Sequence, residues 1–219
     1  VIVLIETDPW LMVIGSDVPT FALYDNGQII YKKIVDNELK YFEVTNNIET
    51  TQKIIKSFGI TDNLMIQKEY IEASNSTDQP TNIMLFNFDS IRQISVYGRL
   101  RDISNEARIN TPKDFLKVYD NIIKFDDSNA KEWLPDYIEV MATKYSYSPE
   151  VPLEWNKEWN DIKSESTVKR SDDLYSIYLD KKYFKDFIKL LSSIKEKQAV
   201  EINGEKYFLS YRLPFPNLQ

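Results

Sequence analysis

Two Asn-Gly pairs, each set between β-prone runs, constrain the fold of this 219-residue chain more than any other feature. Asn26-Gly27 separates FALY from QIIYKK, and Asn203-Gly204 separates AVEI from EKYFLSY. Asn-Gly favours a β-hairpin because both central positions of a type I′ turn need positive φ. At the second pair, a two-residue loop places Glu201 opposite Lys206, which is a favourable cross-strand pair. The sequence therefore predicts antiparallel hairpins near both ends of the chain.

A third hairpin is predicted between the two Asn-Gly turns. In TNIMLFNFDSIRQISVYG, apolar residues alternate with polar ones on both sides of Asp89-Ser90. This period of two is typical of strands that have one buried face, and the polar pair is typical of the turn between them.

Three helices carry start or stop signals. Thr111 is predicted to cap one of them, with Pro112 in its first position, and Asp180 is predicted to cap another. The remaining helix is predicted to begin after Asn46 and to end before Gly59, which suits the C′ position. Together with the hairpins, these signals predict an α+β fold in which about three helices pack on antiparallel sheet.

A strand–helix–hairpin pattern occurs twice. Residues 41–58 and the hairpin at 81–98 parallel residues 174–194 and the hairpin at 199–213. The likeness is one of pattern more than of identity. Internal duplication and independent use of a common arrangement both fit it.

The chain is predicted to contain an N-terminal α+β unit at residues 1–130 and a C-terminal strand–helix–hairpin unit at residues 173–219. Residues 131–172 are predicted to connect them, because much of this stretch contains prolines and tryptophans without a sustained hydrophobic period. Packing of both units as one domain is the alternative.

Composition excludes large classes of enzyme. The chain has no histidine and no cysteine, so Ser-His-Asp triads, Cys-His pairs and His- or Cys-ligated zinc sites cannot form. Its five glycines are scattered singly, which rules out the glycine-rich loops that bind dinucleotides and nucleoside triphosphates. We therefore expect no cofactor site, no metal site and no catalytic residues. Carboxylate chemistry of the glycosidase type is the alternative that remains.

Charge and hydropathy indicate what the chain binds. The net charge of −7 and the pI of about 4.9 disfavour a nucleic-acid partner, which would need concentrated positive charge. An acidic surface steers towards basic proteins. No apolar run is long enough to span a bilayer, so the sequence predicts a soluble protein. The start at Val1 fits either the removal of an export or anchor segment or an artificially shortened chain. An exported or membrane-anchored location is slightly favoured over a cytoplasmic one.

Four aromatic residues are the predicted partner-binding site. Tyr145, Tyr147, Trp155 and Trp159 flank prolines in the unpatterned stretch, and tyrosine and tryptophan are the residue types that anchor protein interfaces. A helical turn would place both indoles on one exposed face. In the alternative reading, buried tryptophans pin this loop to the body of the protein.

Three segments of the first part of the chain form a recurring pattern of turns and strands: PTFALYDNGQIIY at 19–31, EYIEASNSTDQPTN at 69–82 and ISVYGRL at 94–100. Through them, residues 1–125 resemble uncharacterised bacterial exported proteins, many of which are labelled lipoproteins. These segments are turns and strands, so the resemblance implies export and brings no catalytic residues. The chain departs from these proteins in lacking a lipobox cysteine.

These observations favour a non-catalytic module that binds another protein. Two versions fit: an extracytoplasmic or envelope-associated binding protein, and an immunity-type inhibitor whose acidic surface covers a basic toxin. A carboxylate-dependent glycan hydrolase and a structural envelope component are the alternatives.

Overall fold

A computed structural model describes residues 1–10 and 17–218. The described residues form two compact units, 1–10 with 17–133 and then 134–218. Each unit contains one mainly antiparallel sheet and at least one helix. This arrangement confirms the predicted α+β class.

The sheet of the first unit has eight strands in the order β5-β7-β6-β1-β2-β3-β4-β8. All neighbours are antiparallel except β5 and β7. The strands are β1 (Ile2–Glu6), β2 (Phe21–Leu23), β3 (Gln28–Val35), β4 (Glu38–Thr45), β5 (Tyr70–Glu72), β6 (Thr81–Asn87), β7 (Ile91–Tyr97) and β8 (Lys131–Glu132).

Helices of the first unit contribute to its core with residues at helical spacing. Phe115, Val118 and Ile122 of α4 are almost completely buried, and Phe58 of α1 packs edge to face on Phe21 of β2 with ring centroids 5.5 Å apart. Such an apolar stripe on one side of a helix is what drives it onto a sheet. The helices are α1 (Ile48–Phe58), α2 (Asp62–Met65), α3 (Ala107–Asn110) and α4 (Lys113–Ile123).

The sheet of the second unit has six strands in the order β10-β13-β14-β9-β12-β11. Only β10 and β13 pair in parallel. Helix α5 (Phe184–Ser193) follows a short 3-10 turn and buries Phe187. The strands are β9 (Tyr137–Lys144), β10 (Leu153–Glu154), β11 (Val168–Lys169), β12 (Leu174–Asp180), β13 (Val200–Ile202) and β14 (Glu205–Arg212).

All three predicted hairpins are present. At Asn203-Gly204 both residues have positive φ (52° and 84°), and Glu201 lies opposite Lys206 as predicted. At the first hairpin only Gly27 has positive φ, because the loop is longer than a type I′ turn: the Gly27 N–H donates to the Tyr24 carbonyl, and the Tyr24 N–H donates to the Gln28 carbonyl. Strands β6 and β7 form the third hairpin.

The three predicted helices correspond to α1, α4 and α5, but the predicted N-terminal caps differ from the observed ones. The side chain of Asn47, and not that of Asn46, accepts the N–H of Thr50 at the start of α1. Thr111 does not cap α4: its hydroxyl donates to the Ala107 carbonyl, 2.6 Å away, at the end of α3. Asp180 caps the 3-10 turn Lys181–Tyr183 that leads into α5, and not α5 itself. The left-handed Gly59 at the end of α1 is confirmed.

Residues 131–172, predicted to connect two units, belong for the most part to the second unit. They contain β9, which lies between β14 and β12 inside the sheet. The unit boundary falls between residues 133 and 134. The prediction missed β9 because its residues are buried on both faces, so the run YIEVMATK lacks the alternation of a half-buried strand.

The two strand–helix–hairpin segments differ in how the hairpin joins its sheet. In the first unit, the first strand of the hairpin, β6, pairs with β1. In the second unit, the second strand, β14, pairs with β9. Duplication would preserve this order, so the difference favours independent use of a common arrangement.

The longest helices in the described part of the chain, α1 and α4, have 11 residues each. A bilayer span needs about 20 apolar residues. No described helix is therefore long and apolar enough to cross a membrane.

Candidate functional site

The structure separates the four predicted partner-binding residues into two pairs. Trp155 and Trp159 are buried, each with 6 % of its surface exposed. Their rings lie 6.2 and 6.1 Å from the ring of Phe187 on α5. The prediction that both indoles form an exposed face is therefore wrong, and the alternative in which they pin the loop to its own unit describes them correctly.

Tyr145 and Tyr147, in contrast, line an open groove. Tyr145 is half-buried, Tyr147 is 83 % exposed, and their rings meet edge to face with centroids 4.8 Å apart. The groove has a volume of about 730 Å³, which is within the range of ligand sites, roughly 300–1,000 Å³. Its apolar lining comes from α5, the residue after α5 and β14: Leu191, Ile194, Phe208 and Leu209.

Two connecting segments hold the groove open. The segment after β9 carries both tyrosines, and the turn at residues 195–198 leads from α5 to β13. Ser148 joins them, because its hydroxyl donates to the Lys197 carbonyl at 2.8 Å while its own carbonyl accepts from the Lys206 ammonium at 2.9 Å. Ser148 is only 4 % exposed, and these two part-buried bonds tie the tyrosine segment to the turn at residues 195–198 and to β14.

The groove is locally positive, although the chain is acidic. Lys144, Lys195 and Lys197 line it together with a single carboxylate, Glu196. The Lys197 ammonium lies 4.0 Å from Glu196, and the Lys144 ammonium lies 3.9 Å from the Glu205 carboxylate. Such long, solvent-exposed pairs contribute little stability, so these lysines can exchange their present partners for a ligand at small cost.

Sequence reasoning missed the lysines and the apolar wall of this groove. Leu191 and Ile194 are three residues apart, a spacing typical of the core-facing side of a helix, and the lysines come from two segments, the end of β9 and the turn at residues 195–198. The lysines and the apolar residues lie around one groove only in the folded chain. Tyr145 and Tyr147 were the one signal in the sequence that pointed to the groove.

The buried carboxylate of Glu139, elsewhere in the second unit, accepts hydrogen bonds from side chains of the same unit. Burial raises the pKa of Glu139, but hydrogen bonds from Ser176 and Arg212 outweigh it and leave the pKa below its ordinary value. The Ser176 hydroxyl and the Arg212 Nε each donate to it at 2.6 Å. Among the described residues, no group of three or more acidic side chains is placed to hold a metal ion.

Comparison with models of known protein families, with curated proteins and with solved structures found no match. The resemblance of residues 1–125 to bacterial exported proteins therefore stays an expectation.

Proposed function

We propose that this chain is a non-catalytic protein-binding module that holds a segment of its partner in the groove of the second unit. The observation that supports this most is the pair of tyrosines at the mouth of an apolar groove. Tyrosine offers a large contact area with only two rotatable side-chain bonds, so little entropy is lost when it becomes ordered. Buried cores of protein interfaces are enriched in such aromatic side chains.

The composition of the groove supports binding more than hydrolysis. Glycosidases use two carboxyl groups about 5–10 Å apart, whereas Glu196 is the only carboxylate among the described residues that line the groove. The exported binding protein and the toxin inhibitor that the sequence favours are both versions of the proposed function.

Selection from a displayed library of random peptides tests this proposal without knowledge of the natural partner. We expect peptides to be enriched on the purified chain and to bind Tyr147→Ser at least about tenfold more weakly, since central aromatic residues carry much of the energy of an interface. Tyr147 is mostly exposed, so the substitution leaves the fold intact.

Tyr137→Ser is the matched control. Tyr137 lies at the start of β9, is 55 % exposed and is not among the residues that line the groove. Failure to enrich any peptide, or equal losses in Tyr147→Ser and Tyr137→Ser, would overturn the proposal.

A further inference from the structure

Strand β14 is paired along only part of one side. It pairs with β9 from Tyr207 to Arg212. On the opposite side it pairs with β13, and that ladder ends at the pair Val200–Tyr207. From Phe208 onwards, none of the strands that the structure describes lies on that side of β14.

The hydrogen-bonding direction shows which residues of β14 face this open edge. In an antiparallel pair, alternate residues bond to the same neighbour. The N–H of Tyr145 donates to the carbonyl of Lys206 at 2.8 Å, so Lys206 and every second residue after it are directed towards β9. The main-chain groups of Leu209 and Tyr211 are directed the other way, beyond the end of β13.

The groove lies at this edge. Successive strand residues point to opposite faces of a sheet, yet both Phe208 and Leu209 line the groove. The groove therefore runs around the edge of β14 rather than over one face. The turn at residues 195–198, which leads into β13, forms its other wall.

Charge selects the kind of peptide that fits. Three lysines and one glutamate line the groove, whereas the whole chain carries a net charge of −7. An acidic segment is repelled by the chain in general and attracted by this groove, which gives specificity as well as affinity.

We propose that the segment bound in the groove is an extended, acidic peptide stretch of the partner that adds to β14 as a further strand. Its main chain pairs with Leu209 and Tyr211, its apolar side chains enter the groove beside Tyr145 and Tyr147, and its carboxylates face the groove lysines. Addition of a strand to an exposed sheet edge is a general mode of peptide recognition. This inference rests on the proposed function, and it replaces the basic partner suggested by total charge with a locally acidic one.

The first test measures the main-chain pairing with peptides enriched from the random library. Each peptide is resynthesised with one N-methylated amide at a time. Alternate N–H groups of a strand point to the same neighbour. We therefore expect binding to weaken at least about tenfold when the methyl group is on an amide that faces β14, and to change little when it is on one of the amides in between. Hydrogen exchange at the amides of Leu209 and Tyr211 should slow when peptide is added.

The second test measures the charge. The double variant Lys195→Glu with Lys197→Glu should bind the enriched peptides about tenfold more weakly. Lys185→Glu is the control, because this exposed lysine on α5 does not line the groove.

The outcomes distinguish this inference from the proposed function. If no peptide is enriched, both are overturned. If peptides bind and lose affinity in Tyr147→Ser, but show no alternation on N-methylation or are neutral or basic, the proposed function stands and the acidic added strand is overturned.

Discussion

The indole rings of Trp155 and Trp159 pack edge to face with centroids 4.9 Å apart and an interplanar angle of 84°. Both residues are equally buried, but their indole N–H groups differ in hydrogen bonding. Nε1 of Trp155 donates to the carbonyl of Asn160 at 3.0 Å. Nε1 of Trp159 is buried without a hydrogen-bond partner among the described residues.

Phenylalanine substitutions should therefore affect the two positions unequally. Both replacements remove a similar volume, but Trp155→Phe also deletes a hydrogen bond and leaves the Asn160 carbonyl without its donor. Trp159→Phe removes an unpaired buried N–H, which costs free energy in the folded state. We expect Trp155→Phe to lower the free energy of unfolding by about 1 kcal/mol more than Trp159→Phe. Urea denaturation of both variants measures the difference, and equal losses would contradict it.

Replacement by asparagine should destabilise the protein more at Gly27 than at Gly204, even though both glycines have φ near +80°. A Cβ on Gly204 has no heavy atom within 4 Å, whereas a Cβ on Gly27 would lie 2.2 Å from the Asn46 carbonyl oxygen. Asparagine tolerates the left-handed region, so Gly204→Asn should cost under about 1 kcal/mol. Gly27→Asn should cost about 3 kcal/mol, because strain and overlap with the backbone add. Thermal unfolding of the two variants compares them, and similar melting temperatures would rule out the close approach at Gly27.

The sequence predicted those parts of the fold that local chemistry determines. The register around Asn203-Gly204 follows from two residues that must adopt positive φ, and the end of α1 follows from Gly59. The turn at Asp36-Asn37, also with positive φ at both positions, was missed because it lacks the glycine that usually marks such a turn.

The burial of Trp155 and Trp159 could not be read from their own segment. Prolines and the missing hydrophobic period indicated a surface loop, and the loop is indeed irregular. What buries the indoles is Phe187, more than 25 residues further along the chain. The groove was unpredictable for the same reason, because the pairing of β14 with β9 brings Lys144 and the tyrosine segment beside Phe208 and Leu209, which are more than 60 residues further along the chain.

Acid sensitivity is expected from Glu6 in the first unit. Burial raises the pKa of this carboxyl, but hydrogen bonds from Arg101, Tyr119 and Thr20 outweigh it, so that its pKa lies below the ordinary value of 4.5. Folding therefore favours the ionised form. The resulting stability is fully present above the ordinary pKa and is lost as the pH falls through that value towards the lowered one.

Glu6→Gln should reveal this contribution. The variant keeps the shape of the side chain and removes the charge, so we expect about 1–3 kcal/mol less stability at neutral pH. Its stability should also fall less steeply than that of the wild type as the pH is lowered through the ordinary pKa of 4.5. Denaturant titrations at a series of pH values measure the free energy of unfolding of both proteins. Parallel pH profiles would exclude Glu6 as the source of the acid sensitivity.

Ser148 should control the rigidity of the groove. The Ser148 hydroxyl donates to the Lys197 carbonyl, and the Ser148 carbonyl accepts from the Lys206 ammonium. This buried residue therefore connects the tyrosine segment with the turn at 195–198 and with β14. Ser148→Ala deletes only the hydroxyl bond and leaves the Lys197 carbonyl without that donor, at a cost of about 1 kcal/mol. We expect faster hydrogen exchange in residues 145–148 and 195–198 and an unchanged rate in the centre of β9, because local opening does not require global unfolding.

Ser146→Ala is the control, since Ser146 is exposed and two residues away. Unaltered exchange in both groove walls would show that the hydroxyl bond does not hold them together.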